Sequence, residues 1–229
     1  MVVEKQYLIM YNNTMVNIII SQSNISGQFD SPLIGSYGGD YSFAGAFLAR
    51  AALDSSVICQ NLSPYSQQNG TMLLDIIKSF GARVTRNGHE VNVRCDKLKG
   101  CRADISEFTQ IAPIIALLGV FASGKTRISG FKDSGELQSI IIENLRALGA
   151  RCEYNENELW IWQQKSTDHA VLNARNNPFV ALALILISTY TKGDTVIRNI
   201  DGLLKRYPDF LQIFESLGGK YKTCDQYTI

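Results

Sequence analysis

The chain has 229 residues, 45% of them apolar and 19% charged, which suits one large globular domain or two small ones. Twenty-two Lys and Arg against 21 Asp and Glu leave a net charge of +1, without the basic surplus or stripe that a duplex-binding protein uses to displace counterions. The longest apolar runs, residues 111–122 and 179–187, fall short of the roughly 18–20 residues a membrane span needs, and the N-terminus lacks a signal-peptide layout. The expectation is a cytoplasmic protein that engages neither nucleic acid nor membrane.

The first 34 residues read as a separate stretch of strands and linker. Residues 7–10 and 16–20 have strand composition around an Asn12-Asn13 turn, and residues 21–38, rich in Ser, Gly and Gln, read as a loop. From residue 35 to 229 one layout recurs three times, over about 39–97, 103–163 and 170–229. Each copy opens on an apolar helix, at 43–53, 111–121 and 179–189. A turn leads to a β-branched strand: Val57-Ile58-Cys59, Thr126-Arg127-Ile128 and Thr195-Val196-Ile197. An amphipathic helix follows at 72–80, 137–148 and 210–217, and each stops at a glycine: Gly81, Gly149 and Gly218. Those glycines lie 68 and 69 residues apart. Glycine just past a helix relieves the steric penalty of a left-handed cap.

A strand pair closes the first two copies, through Asn87-Gly88 in one and Asn155-Glu156-Asn157 in the other; the third is cut short after Lys220. The unit is therefore helix, strand, helix, strand, strand. Helices apolar all round must be buried, so the three of them predict an α/β fold with pseudo-threefold packing around a helical centre.

Few residues suggest chemistry. Residues 119–126, Gly-Val-Phe-Ala-Ser-Gly-Lys-Thr, match the phosphate-loop pattern, but that mechanism needs a strand before the loop and a helix after it. Here the order is reversed, and the corresponding positions of the other copies hold plain turns. Five cysteines (59, 95, 101, 152, 224) and two histidines, His89 and His169, lack metal-ligand spacing, so reduced, mostly buried thiols and no metal are expected. Trp160 and Trp162 alternate on one strand and share a face, as packing residues do. Asp209 sits where a helix N-cap or first-turn acid belongs.

Several short runs resemble the enolpyruvyl transferases, and the EPSP synthases among them most closely. Gly39-Asp40-Tyr41-Ser42-Phe43-Ala44 resembles the Gly-Asp-x-Ser-Ser-Ala opening of that family's C-terminal lobe. Leu73-Leu74-Asp75 with Phe80-Gly81-Ala82, and Ile111-Ala112-Pro113 with Phe121-Ala122-Ser123-Gly124, follow in the family's order. Lys205-Arg206-Tyr207-Pro208-Asp209-Phe210 resembles Lys-Ser-Phe/Tyr-Pro-Asp-Phe, with Leu217-Gly218-Gly219 after it. The resemblance runs from about Gly39 to Gly219 and implies one lobe of a two-lobed enzyme, with phosphoenolpyruvate and shikimate 3-phosphate as ligands and no cofactor. It implies a second lobe too, in cis or in trans.

Carried over residue by residue, Lys205 keeps a substrate-binding identity and Lys132 falls in the family's Lys-Glu-Ser-Asp-Arg loop. Elsewhere the chemistry is substituted. The family's catalytic Asp falls on Gln110, its loop arginine on Glu136 or Leu137, and its Asp-His-Arg on Asn177-Pro178-Phe179. No catalytic residue is assigned. Three readings follow: a divergent transferase lobe that is inactive alone, a catalytically silent relative serving binding or assembly, and a nucleotide-binding domain built on Gly119 to Thr126.

Overall fold

The computed structural model describes residues 17–20, 22–23, 25–30, 39–65, 70–94, 97–131, 134–155, 157–164 and 169–224; the expected strand at 7–10 lies outside them. The described chain opens with β1 (Asn17–Ile20). The first repeat comprises β2 (Gly27–Asp30), α1 (Tyr41–Asp54), β3 (Ser56–Gln60), α2 (Gly70–Ser79), β4 (Arg83–Asn87) and β5 (Glu90–Arg94). The second comprises β6 (Arg102–Asp104), α3 (Ala112–Phe121), β7 (Lys125–Ser129), α4 (Gly135–Ala147), β8 (Cys152–Asn155) and β9 (Glu158–Trp162). The third comprises β10 (Ala170–Asn173), α5 (Pro178–Ser188), β11 (Thr195–Arg198), α6 (Asp201–Arg206), α7 (Phe210–Ser216) and β12 (Tyr221–Cys224).

Helices α1, α3 and α5 are almost wholly buried and pack against one another, as their uniformly apolar surfaces require. They run parallel. At one end, Arg50 on the last turns of α1 reaches Thr189 just past α5, and Phe121 at the end of α3 meets Tyr190 at 4.9 Å. At the other end, the N-caps Asp40 and Asn177 open α1 and α5. Gly81, Gly149 and Gly218 all adopt positive φ (+95°, +75° and +97°), which explains glycine at these three matched stops.

Three four-stranded sheets surround the helices, in the orders β2-β3-β5-β4, β6-β7-β9-β8 and β10-β11-β1-β12. In each, the first pair is parallel and the remaining pairs are antiparallel. β1 occupies in the third sheet the place that β5 and β9 hold in the others, with Ile18 opposite both Ile197 and Thr223. The third copy, short by a strand in the sequence, is completed by the beginning of the chain.

The fold departs from the sequence-based expectation at the leading strands. β2 lies within the segment read as a loop, and β6 and β10 precede the helices with which the repeat was expected to begin. Each has only three or four residues, and in β2 only Phe29 is buried. Their strand character comes from pairing with β3, β7 and β11, which local composition does not encode. In the third copy the expected amphipathic helix stands as α7, and an additional helix, α6, precedes it. Pro208 separates the two because it lacks the N–H that a continuing helix needs and disfavours helical Tyr207. Asp209 stands at the N-cap of α7 but makes no side-chain capping bond there.

Arg50 is the largest fully buried side chain, with none of it exposed. Its Nε donates to Thr189 Oγ1 at 2.6 Å, Nη2 donates to the Ser23 carbonyl at 3.1 Å, and Asp54 supplies the countercharge. The guanidinium also lies 5.4 Å from the Tyr190 ring centre. It ties together the C-terminal ends of α1 and α5.

Three substitutions test these assignments by their effect on stability. Ile18→Ala removes a fully buried side chain from the inserted strand, and urea unfolding should show a loss of about 2–5 kcal/mol. Asp54→Asn should destabilise by up to about 3 kcal/mol, the low end for breaking a buried pair because Asp54 is 41% exposed. Arg50→Met removes the charge while keeping much of the volume, so it should cost less than Asp54→Asn.

Candidate functional site at the helix N-termini

The loops that follow β3 and β11 gather at the end of the molecule where the buried helices begin. Asp40 caps α1: its Oδ1 accepts from Ser42 N at 2.8 Å and Phe43 N at 3.2 Å. Asn177 does the same for α5, accepting from Phe179 N at 3.0 Å and Val180 N at 3.1 Å. Capping amides bind anionic oxygens well, and the helix dipoles add positive potential at this end. α3 has no side-chain cap; it is entered through a 3-10 turn, Thr109–Ile111, in which Gln110 is exposed.

The chain between α6 and α7 crosses this end. Tyr207 is buried, with its ring 4.7 Å from Phe43 and its hydroxyl donating to the second Asp40 oxygen at 2.7 Å. Burial first, then the Asp40 carboxylate beside it, pushes the Tyr207 hydroxyl well above the ordinary phenol range, so it remains a donor. Arg206 Nε in turn donates to Tyr207 Oη at 3.0 Å, and its guanidinium stands 5.0 Å from the centre of the Phe179 ring. Lys205 precedes it, exposed on the last turn of α6.

On the opposite flank, Arg86 donates to Tyr41 Oη at 2.7 Å and to the Leu62 carbonyl at 2.9 Å. Tyr41 Oη donates onward to the Ser63 carbonyl at 2.7 Å. This guanidinium is spent on fixing the loop after β3.

Of the two residues expected to bind substrate, Lys205 lies at this end, whereas Lys132 lies outside the described residues. The sequence reading passed over Asp40, Tyr207 and Arg206 as a working group. One signal was available: Arg206 occupies the position where the resembled motif carries a small hydroxyl residue. The link from Arg206 through Tyr207 to Asp40 spans 167 residues and has no local signature.

Residues 21–214 match the family of EPSP synthase (3-phosphoshikimate 1-carboxyvinyltransferase). The chain belongs to the EPSP synthase family. Among curated relatives, the 3-phosphoshikimate 1-carboxyvinyltransferase of Pyrococcus abyssi is 31% identical over 176 residues, covering 75% of this chain and 42% of the relative. That of Methanocaldococcus jannaschii is 29% identical over 187 residues, 79% of this chain and 43% of the relative. The chain thus spans less than half the length of these relatives. EPSP synthase from Acinetobacter baumannii superimposes with a TM-score of 0.72 at 17% identity, over 82% of this chain and 47% of that one. The enolpyruvyl transferase NikO from Streptomyces tendae superimposes with a TM-score of 0.68 at 20% identity, again over 82% of this chain and 44% of its own. The three-sheet architecture is that of an EPSP synthase lobe.

The phosphate-loop motif belongs to the scaffold of this lobe. Gly119 lies inside α3, Gly124 turns the chain at φ +88°, and Lys125 to Ser129 is strand β7. Thr126, the residue that would hold magnesium in a true phosphate loop, is fully buried, and a Cβ at Gly119 would stand 3.0 Å from it. Lys125 instead lies on the outer face of the sheet, with Nζ 4.0 Å from the centre of the Trp160 ring. Arg127 lies over the same ring, and Arg151 stands 4.3 Å from the centre of Trp162. The two half-buried tryptophans therefore form a cation–aromatic ladder on the second sheet.

Among the described cysteines, Cys59, Cys101, Cys152 and Cys224 are free thiols; burial pushes Cys101 up to about 11, far from a reactive thiolate.

Lys125→Ala should lower stability by about 0.5–1 kcal/mol through lost cation–π contact. ATP should leave the melting temperature of both proteins unchanged. An ATP-dependent shift that vanished in the variant would restore the nucleotide reading.

Proposed function

We propose that this chain is one lobe of a divergent 3-phosphoshikimate 1-carboxyvinyltransferase, the enzyme that transfers the enolpyruvyl group of phosphoenolpyruvate to shikimate 3-phosphate in aromatic amino-acid biosynthesis. The observation that carries the reading is the family match across residues 21–214; the exposed Lys205 on the last turn of α6 supports it. In the transfer, the methylene carbon of phosphoenolpyruvate takes up a proton while a shikimate hydroxyl loses one and bonds to the adjacent carbon. The methyl group so formed then gives up a proton as phosphate leaves, which restores the double bond. A lobe of this kind contributes cations for the phosphoenolpyruvate anion, and a second lobe, in cis or in trans, closes the cleft and brings the shikimate-phosphate contacts.

Alone, the chain binds but does not turn over. General acid–base chemistry needs a group that exchanges protons. The exposed amide of Gln110 cannot, and Phe179 offers a ring where the family places a guanidinium.

Those same two positions favour a second reading, in which the lobe is a catalytically silent relative whose scaffold serves binding or assembly. Thermal-shift titration separates the two. Phosphoenolpyruvate at about a hundred times its dissociation constant should stabilise the protein by roughly 2.7 kcal/mol, and Lys205→Ala should remove the response. Shikimate 3-phosphate should add to the response only when the second lobe is supplied. No stabilisation by phosphoenolpyruvate, with or without that lobe, would favour the silent relative.

A further inference from the structure

Arg206 has a setting that no other surface cation of the described chain shares. Its Nε is held by Tyr207, whose hydroxyl is held by Asp40, and both of those residues are buried, with 6% and 2% of their surface exposed. Asp40 is fixed in turn by its two capping bonds to the first turn of α1. The flat guanidinium rests over the Phe179 ring at the first turn of α5. A surface arginine ordinarily loses rotamer freedom when it grips a ligand, which weakens the grip. Here Tyr207 and Phe179 have already fixed the plane.

The other end of the fork, at Nη1, makes no hydrogen bond among the described residues. Nη2 pairs loosely with the Asp40 carboxylate at 4.0 Å, too long for a hydrogen bond, and the side chain is 45% exposed. Among the described residues, the hydrogen bond from Nε to Tyr207 is the one that the guanidinium makes. The hydrogen bond with Tyr207, ahead of the opposing effect of burial, raises the pKa of Arg206 above its ordinary value, so the charge persists at every working pH. A planar fork with a fixed back and an open front is matched to two oxygens of a carboxylate or phosphate.

We infer that Arg206 is an oxyanion-binding residue of this lobe, presented by Tyr207 and Asp40 as positioning residues, and that it supplies from the end of α6 a guanidinium that α5 lacks at Phe179. The ligand class is a small dianion bearing a carboxylate or a phosphate. The inference deepens the reading of the lobe as a phosphoenolpyruvate site and rests on it for the ligand's identity, though not for the anion chemistry.

The test is an NMR titration of the intact chain at constant ionic strength. The Arg206 side-chain Nε–Hε resonance, assigned with Arg206→Lys, is followed as phosphoenolpyruvate, pyruvate and inorganic phosphate are added separately. The expected result is a saturable shift with phosphoenolpyruvate, a tenfold or greater loss of its affinity in Arg206→Ala, and partial recovery in Arg206→Lys. Pyruvate or phosphate acting alone identifies which end of the ligand the fork holds. Tyr207→Phe, folded by its amide spectrum, should weaken binding several-fold and broaden the Arg206 resonance, a change that a merely structural tyrosine would not produce.

If phosphoenolpyruvate binds no better than phosphate yet both move Arg206, the transferase reading falls and the anion site stands. If phosphoenolpyruvate binds through Lys205 while Arg206 stays unmoved, the site falls and the transferase reading stands. An Arg206 resonance indifferent to all three anions overturns the inference.

Discussion

Mutual burial of three parallel helices is the constraint on which the rest of this molecule depends. α1, α3 and α5 are apolar around their whole circumference, so none can lie on a surface, and each is desolvated by the other two and by the sheets outside them. The sheets follow from that arrangement. Each parallel pair, β2-β3, β6-β7 and β10-β11, flanks one buried helix and forces a crossover through the centre. The amphipathic helices α2 and α4 then cover the remaining apolar surface of their repeats with one face.

Parallel packing also polarises the molecule. The C-terminal ends of α1 and α5 meet around Arg50, whose positive charge is tolerated without exposure because carbonyl and hydroxyl oxygens, Asp54 and an aromatic ring face it. The N-terminal ends of α1 and α5 open on the opposite side, capped by Asp40 and Asn177. Those caps already satisfy first-turn amides of both helices. Lys205 and Arg206 lie at that end because Pro208 interrupts the third repeat between α6 and α7.

The same end shows that the fold and its surface side chains rest on different contacts. Asn177 caps α5, a task that any short polar acceptor performs. Phe179, two residues on, is an apolar shelf that is 8% exposed, and the guanidinium resting on it comes from a different element. The fold depends on apolar periodicity, whereas the side chains at this end could be replaced with the packing left intact.

The sequence by itself determined the three buried helices, the matched glycine stops and the central strands of every repeat, because apolar period and cap chemistry are local properties of a segment. The family resemblance was legible for a similar reason, since it rests on ordered short runs such as Phe121-Ala122-Ser123-Gly124. It could also reject the phosphate loop, by the order of helix and strand around Lys125. Only the tertiary structure decided where β1 goes, since Ile18 and Ile20 are apolar in any sheet and their partners lie about 175 residues or more further along. It alone made strands of β2, β6 and β10, whose few residues become ladders only when a neighbour supplies hydrogen bonds. It alone joined Asp40 to Arg206 through Tyr207, because a hydrogen bond between distant residues is a property of the folded space they share.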